Sequence, residues 1–281
     1  MKFTQFNITA NSESQEILVA LLDPLGFESF QETESKLLAF INEDFVTEDL
    51  LHRVQETLIQ LNIKNFTTES LPNINWNEKW EQNFPFTIVR DQVYVHASFH
   101  PEKKEIPYPI RIEPKMSFGT GHHPTTFQMI EALLDADLKN KSLLDLGSGT
   151  GVLAILAEKI GAMDVLAIDY DDWCIENMAE NQRLNNTVFK IAKADVTNAQ
   201  EMEFVTEGRK FDFILANINR NLLLNSFENL KERLNKNSVL ITSGYYVEDE
   251  KIIENTVHNV LGLKKTARYS KNNWIVNTFK K

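Results

Sequence analysis

The chain is nearly without cysteine. Cys174 is the only one in 281 residues, so neither an internal disulfide nor a Cys-rich zinc cluster is available. Long apolar runs are also missing: none approaches the roughly 20 residues needed to span a bilayer. The first residues, MKFTQFNITANSES, lack the apolar core of a secretory signal. Positive charge is short as well, with 29 Lys and Arg against 40 Asp and Glu and a net charge of −11. That deficit argues against general nucleic-acid binding, which needs a basic face to neutralise phosphates. It suits a basic protein as partner. These absences lead to the expectation of a soluble, cytoplasmic protein with no membrane contact and no specific nucleic-acid contact. A monomer is the default expectation.

What is present is an ordinary globular balance, 42% hydrophobic and 25% charged, in a chain long enough for two domains. Residues 1–71 read as a small α+β unit in the order β-α-β-β-α-β, the ferredoxin-like pattern. FTQFNITA alternates as a strand. A helix follows in which Ser12 or Ser14 caps and Ile17, Leu18, Leu21 and Leu22 share a face. FESFQET and KLLAFIN suit a hairpin, VTEDLLHRVQETLIQLN is a helix capped by Thr47, and KNFTTESL closes as a strand. Residues 72–97 read as a polar linker with a short helix. Trp76 and Trp80, one helical turn apart, read as anchors that dock the linker onto a domain, with substrate contact as the other reading. From residue 98 to 281 strands and helices alternate, which predicts a doubly wound parallel sheet. The last two strands, joined by SKNN, should form an antiparallel pair at its edge. The acidic segment after VFKIAKAD reads as loose.

In such a sheet, ligands bind at the carboxyl ends of the strands. The first tip is LLDLGSGTG, with glycines at 147, 149 and 151 that allow a tight strand-to-helix turn. A nicotinamide dehydrogenase would want its third glycine at 152, which is Val152. The spacing instead resembles the first motif of S-adenosylmethionine-dependent methyltransferases, to which Asp145 also belongs. Asp169, about 20 residues on, is placed to accept bonds from ribose hydroxyls. Asp195 ends the next strand, either to hold an adenine amino group or as a plain turn residue. Asn217 ends FDFILAN, and in a methyltransferase of this kind it would face the transferred methyl group. The prolines and aromatic that clamp a flat base amine do not follow it, since Ile218, Asn219 and Arg220 stand there.

The stretch FGTGHHPTT ahead of that first motif, then LLDLGSGTGVLAI, AID and ANI, resembles the ribosomal protein L11 methyltransferase (PrmA) family over about Ile110 to Tyr245. The resemblance implies a Rossmann-like class I methyltransferase domain behind a ferredoxin-like substrate-recognition domain. It implies methyl transfer from S-adenosylmethionine to lysine side chains and the N-terminal α-amine of ribosomal protein L11, a protein partner. It also carries the family's cofactor contacts to Thr126, Gly147, Asp169 and Asn217. Adjacent His122 and His123 lack the partners of a zinc set, so no metal is expected. Pro124 suits a first helical turn. Thr125 and Thr126 then sit at a helix start that favours an anion, such as the carboxylate of S-adenosylmethionine. Phe118, Gly119 and Gly121 read as a cover over the cofactor. Rival readings are a same-fold enzyme acting on a small molecule or RNA, and a nicotinamide-dependent oxidoreductase or a cofactor-binding module without catalysis.

Overall fold

In a computed structural model the chain forms two compact units, Met1–Asn83 and Phe84–Lys281. The structure describes residues 3–61, 63, 66–70, 84–115 and 117–281. Trp76, Trp80 and the expected linker helix lie outside the described residues, as does Met116.

The first unit runs β1 (Phe3–Thr9), α1 (Ser12–Leu22), β2 (Ser29–Glu32), β3 (Lys36–Asn42), α2 (Glu48–Gln60) and β4 (Phe66–Ser70). Its sheet has the order β2-β3-β1-β4, with every neighbour antiparallel. The alternation in β1 puts Phe6 and Ile8 into a core with Leu18, Leu22, Leu37, Ile41, Val54 and Leu58. Phe6 meets Phe27 edge-on at 5.0 Å and stacks on Phe66 at 5.3 Å, geometries that add to area burial. Thr47 caps α2 by accepting from the Leu50 amide, as expected. The cap of α1 differs from expectation: Asn11 is its N-cap and accepts from the Ser14 amide. Ile17 and Leu21 are exposed, because the buried arc of α1 passes through Gln15, Leu18 and Leu22 instead.

The second unit begins earlier than the expected boundary at residue 98. Residues 87–97 are not linker: β5 (Thr87–Val89) and β6 (Val93–His96) pair antiparallel, and β7 (Tyr108–Arg111) joins β6 in parallel. Val89, Val93, Val95 and Ile110 from these strands are fully buried in the core of the second unit. That burial explains why this stretch folds with the larger unit.

The main sheet is built from β8 (Ser142–Leu146), β9 (Asp164–Asp169), β10 (Lys190–Lys193), β11 (Phe211–Asn217), β12 (Leu234–Tyr246), β13 (Lys264–Lys271) and β14 (Trp274–Lys280). Its order is β10-β9-β8-β11-β12-β14-β13. Neighbours from β10 to β12 are parallel, and β14 runs antiparallel to both β12 and β13. The reversed strand is therefore β14, one place in from the edge, because the hairpin turns outward and leaves β13 outermost. The helices are α3 (Pro124–Leu134), α4 (Val152–Ile160), α5 (Asp172–Leu184), α6 (Ala199–Thr206), α7 (Arg220–Lys231) and α8 (Glu250–Thr256), the last running into a π turn over Val257–Leu261. Helix α6 lies in the acidic segment read as loose. Asn198 caps it, and Met202 and Val205 bury its inner face. Each strand splits its side chains between two apolar layers: Leu143 faces one, Leu144 and Leu146 the other. No helix among the described residues is long and apolar enough to cross a membrane. Strand order reverses between β8 and β11, which is where a doubly wound sheet opens its ligand crevice.

Candidate active site

A cleft of about 490 Å³ opens at that reversal. Phe118, Gly147, Gly149, Asp169, Asp195 and Asn217 line it, drawn from the FGTG loop, the glycine turn and three further strand ends. Ile218, Val196 and Leu222 supply apolar wall. Three residues expected at the cofactor stand behind this surface. Asp145 is 1% exposed beneath the glycine turn, Thr126 is 1% exposed in the first turn of α3, and Gly119 touches the turn through its backbone.

The FGTG loop lies directly on the GSGTG turn. The Thr150 amide donates to Phe118 O at 2.9 Å, and the Thr150 hydroxyl donates to Gly119 O at 2.7 Å. Gly149 has φ +55, and a Cβ there would overlap Phe118 O. Only glycine allows both the backbone angle and this approach. Four residues of signature loop and five of glycine turn thus make one double-layered structure.

Asp169 is 5% exposed, yet its carboxylate is well served. Oδ2 accepts from the Gly149 amide at 2.9 Å and Oδ1 from the Asp171 amide at 3.1 Å. A carboxylate has about four lone-pair sites, so acceptor capacity remains toward the cleft. Asp195 is exposed. Its Oδ1 takes both the amide and the hydroxyl of Thr197 at 2.8 Å, so it holds a turn as well as lining the cleft. Asp145 stands in a different state. Burial raises its pKa to about 7, and neighbouring Asp169 pushes the same way. Ser148 and the Ala154 amide favour its charged form, but neither completes a hydrogen bond to the two buried oxygens.

Asn217 ends β11, with Nδ2 at 3.5 Å from Thr126 Oγ1. Its Oδ1 is buried and accepts no hydrogen bond. Behind it Gly244, at φ +93, lets β12 pass so close that a Cβ would overlap the Ile218 carbonyl. The bulge between Thr242 and Tyr245 falls at the same place, as bulges beside sites often do.

The two histidines serve structure. His122 bonds through Nδ1 to the Thr120 hydroxyl at 3.0 Å and donates through Nε2 to Pro85 O at 2.7 Å. His123 is the N-cap of α3: its Nδ1 accepts from the Thr125 amide at 3.4 Å and meets the Thr125 hydroxyl at 2.8 Å. Burial lowers its pKa, which favours this neutral acceptor form. Thr125 and Thr126 are both buried at 1% exposure, so the start of α3 presents no open hydroxyl pair to an anion. An aromatic wall that the sequence reading missed continues from Phe118. His123 meets Phe118 at 5.3 Å and Trp274 at 4.8 Å, and Trp274 lies against Tyr246 at 4.0 Å. Trp274 and Tyr246 are remote from the glycine motifs in sequence. Only the antiparallel insertion of β14 beside β12 brings them together.

A family model for ribosomal protein L11 methyltransferase (PrmA) matches residues 3–281. The chain belongs to the ribosomal protein L11 methyltransferase family. A member from Porphyromonas gingivalis is 42% identical over 264 residues, covering 92% of this chain and 88% of that protein. One from Phocaeicola vulgatus is 38% identical over 283 residues, covering 98% and 97%. Among solved structures, the ribosomal protein L11 methylase of Lactobacillus delbrueckii subsp. bulgaricus aligns with a TM-score of 0.62 at 26% identity, over 70% of this chain and 98% of that one. The Thermus thermophilus 16S rRNA N2 G1207 methyltransferase, with AdoMet and guanosine, shares the fold at a TM-score of 0.50, 18% identity, over 59% of this chain and 45% of that chain.

Proposed function

We propose that the protein transfers methyl groups from S-adenosylmethionine to amino groups of ribosomal protein L11, on lysine side chains and on the N-terminal α-amine. Family membership supports the reaction. The observation that carries the site is Asn217 Oδ1, a buried amide oxygen with no donor. Such an atom is costly to leave unpaired, and a small turn of the Asn217 amide, which lines the cleft, would bring it to an amine N–H there.

The residues present fit S-adenosylmethionine: a glycine turn open to close approach, Asp169 with spare acceptor capacity, and an apolar wall. That molecule brings a methyl group already activated on a positive sulfonium. Alignment is then the main task of the protein, and alignment is worth several kcal/mol. Asn217 accepts from the amine and so aims its lone pair, while Thr126 fixes the amide plane. The amine must arrive neutral. A lysine at about 10.4 is almost wholly protonated near neutral pH, whereas an α-amine near 7.7–8.0 is partly free. Burial lowers either value. His123 Nδ1 is committed to Thr125 and Asp145 is sealed under the turn, so neither takes the proton, and in this reading it leaves to solvent.

The N-terminal unit, read as a ferredoxin-like docking domain, holds most of the net negative charge: residues 1–83 contain 14 Asp and Glu against 5 Lys and Arg, −9 of the −11. Such a surface speeds encounter with a basic substrate protein. Intact-mass spectrometry of purified L11 incubated with the protein and S-adenosylmethionine tests the proposal. Methyl mass steps on L11 are expected, and an unchanged L11 mass would overturn it.

A further inference from the structure

The second unit carries another cavity, of about 360 Å³, that shares no lining residue with the cleft. Lys159 and Asn185 place it at the carboxyl ends of α4 and α5, the opposite end of α4 from the glycine turn. Its walls hold Lys103, Lys104, Arg111, Lys159 and His96, with Glu102 as the single carboxylate. In a chain of net charge −11 this runs against the average.

Glu102 is shared loosely, at 3.9 Å from Lys104 and 3.7 Å from Arg111. Lys103 is held over the rings of Phe86 and Tyr94 at 5.5 and 5.9 Å. Lys159 makes no ion pair among the described residues, and burial depresses its pKa. It stands in the last turn of α4, where it offsets carbonyl ends that would otherwise repel an anion. That helix-end role accounts for Lys159 alone, not for the convergence of the others. His96 is 5% exposed, stacked on Tyr94 at 4.4 Å. Its Nδ1 donates to Ala97 O at 2.9 Å. Burial lowers its pKa, so the ring stands neutral with Nε2 as an acceptor, and the positive charge of the cavity comes from the lysines and Arg111.

We propose that this cavity binds a compact phosphate-bearing anion, of the size and charge of a pyrophosphate group. Arg111 supplies a planar fork suited to phosphate oxygens, and Lys103 and Lys159 supply point charges. Four cations around one loosely shared carboxylate exceed what a monovalent carboxylate ligand would balance. The volume exceeds a single phosphate.

The test is calorimetric titration of the full chain with sodium pyrophosphate at constant ionic strength, with and without saturating S-adenosylhomocysteine. Lys159→Gln and Arg111→Gln are titrated in parallel. Both side chains are partly exposed, so both variants should keep the melting temperature and S-adenosylhomocysteine affinity of the parent. Binding is expected to persist with S-adenosylhomocysteine present and to weaken about tenfold or more in each variant. Three outcomes overturn the proposal: no binding at millimolar pyrophosphate, loss of binding once S-adenosylhomocysteine is present, or equal affinity in the variants. A single-stranded RNA oligonucleotide serves as a further arm. If it binds through Lys159 and Arg111 while pyrophosphate does not, the ligand is a polymer backbone and the compact-anion proposal fails.

Discussion

Asn217 Nδ2 lies 3.5 Å from Thr126 Oγ1, and this contact joins the tip of β11 to the first turn of α3. The two residues are 91 positions apart in the chain. Each is held by its own element, and under the proposed role the contact steadies the amide whose oxygen meets the incoming amine. Substitution to Asn217→Ala should lower kcat by about two orders of magnitude, the scale seen when one preorganised polar group is removed. Thr126→Val, which keeps shape but not the hydroxyl, should lower it by roughly tenfold. Steady-state kinetics on L11 measure both. A kcat near the parent value for Asn217→Ala would end the orienting role.

Gly244→Ala places a methyl group into the Ile218 carbonyl at φ +93. The expected cost is about 1–3 kcal/mol of stability, together with a shifted Asn217–Asn219 loop. Denaturant unfolding gives the first quantity. S-adenosylhomocysteine titration gives the second, as a weakened affinity that a destabilised but correctly shaped cleft would not show.

Asp145 predicts a pH dependence of the ligand-free protein. Its pKa is about 7 when folded, against 3.8 as an ordinary Asp. A raised folded value means the folded state holds the extra proton between these limits. The contribution to stability is therefore full below about pH 4, falls as pH rises toward 7, and is level above. The upper bound on the loss is about 4 kcal/mol. Asp145→Asn should remove the downward slope and unfold at higher denaturant than the parent at pH 8. Equal midpoints at pH 5 and pH 8 in the parent would contradict the raised value.

Tyr246 is 45% exposed and closes the aromatic wall against Trp274. Its position on the rim, outside the cofactor cleft, predicts a split effect. Tyr246→Ala should raise KM for L11 several-fold, in line with about 1 kcal/mol for one aromatic contact, and leave S-adenosylhomocysteine affinity unchanged.

The alternating strand and helix pattern, the glycine turn and the acidic strand ends were all legible in the chain because each is local. A period, a spacing or a capping residue declares them within a dozen positions. The site residues at 118, 147, 149, 169, 195 and 217 share one cleft for the same reason: every one sits at a strand end or in the loop before a helix. What was not legible is what depends on distant neighbours. Trp274 and Tyr246 meet only because β14 inserts antiparallel beside β12. Residues 87–97 fold with the second unit because Val89, Val93 and Val95 find a core there, which no local pattern announces. Asp145 looked like a cofactor contact from its motif, whereas its burial under the turn is a property of packing.

Gly149 and Phe118 are bound by an exclusion: the Phe118 carbonyl occupies the volume that a side chain at 149 would need. A consequence follows for anyone reshaping this enzyme. The glycine turn cannot be transplanted to another scaffold by itself, nor can the FGTG loop be randomised while the turn is kept. Each is the mould in which the other is cast, and a library that varies one without the other samples mostly mismatched pairs.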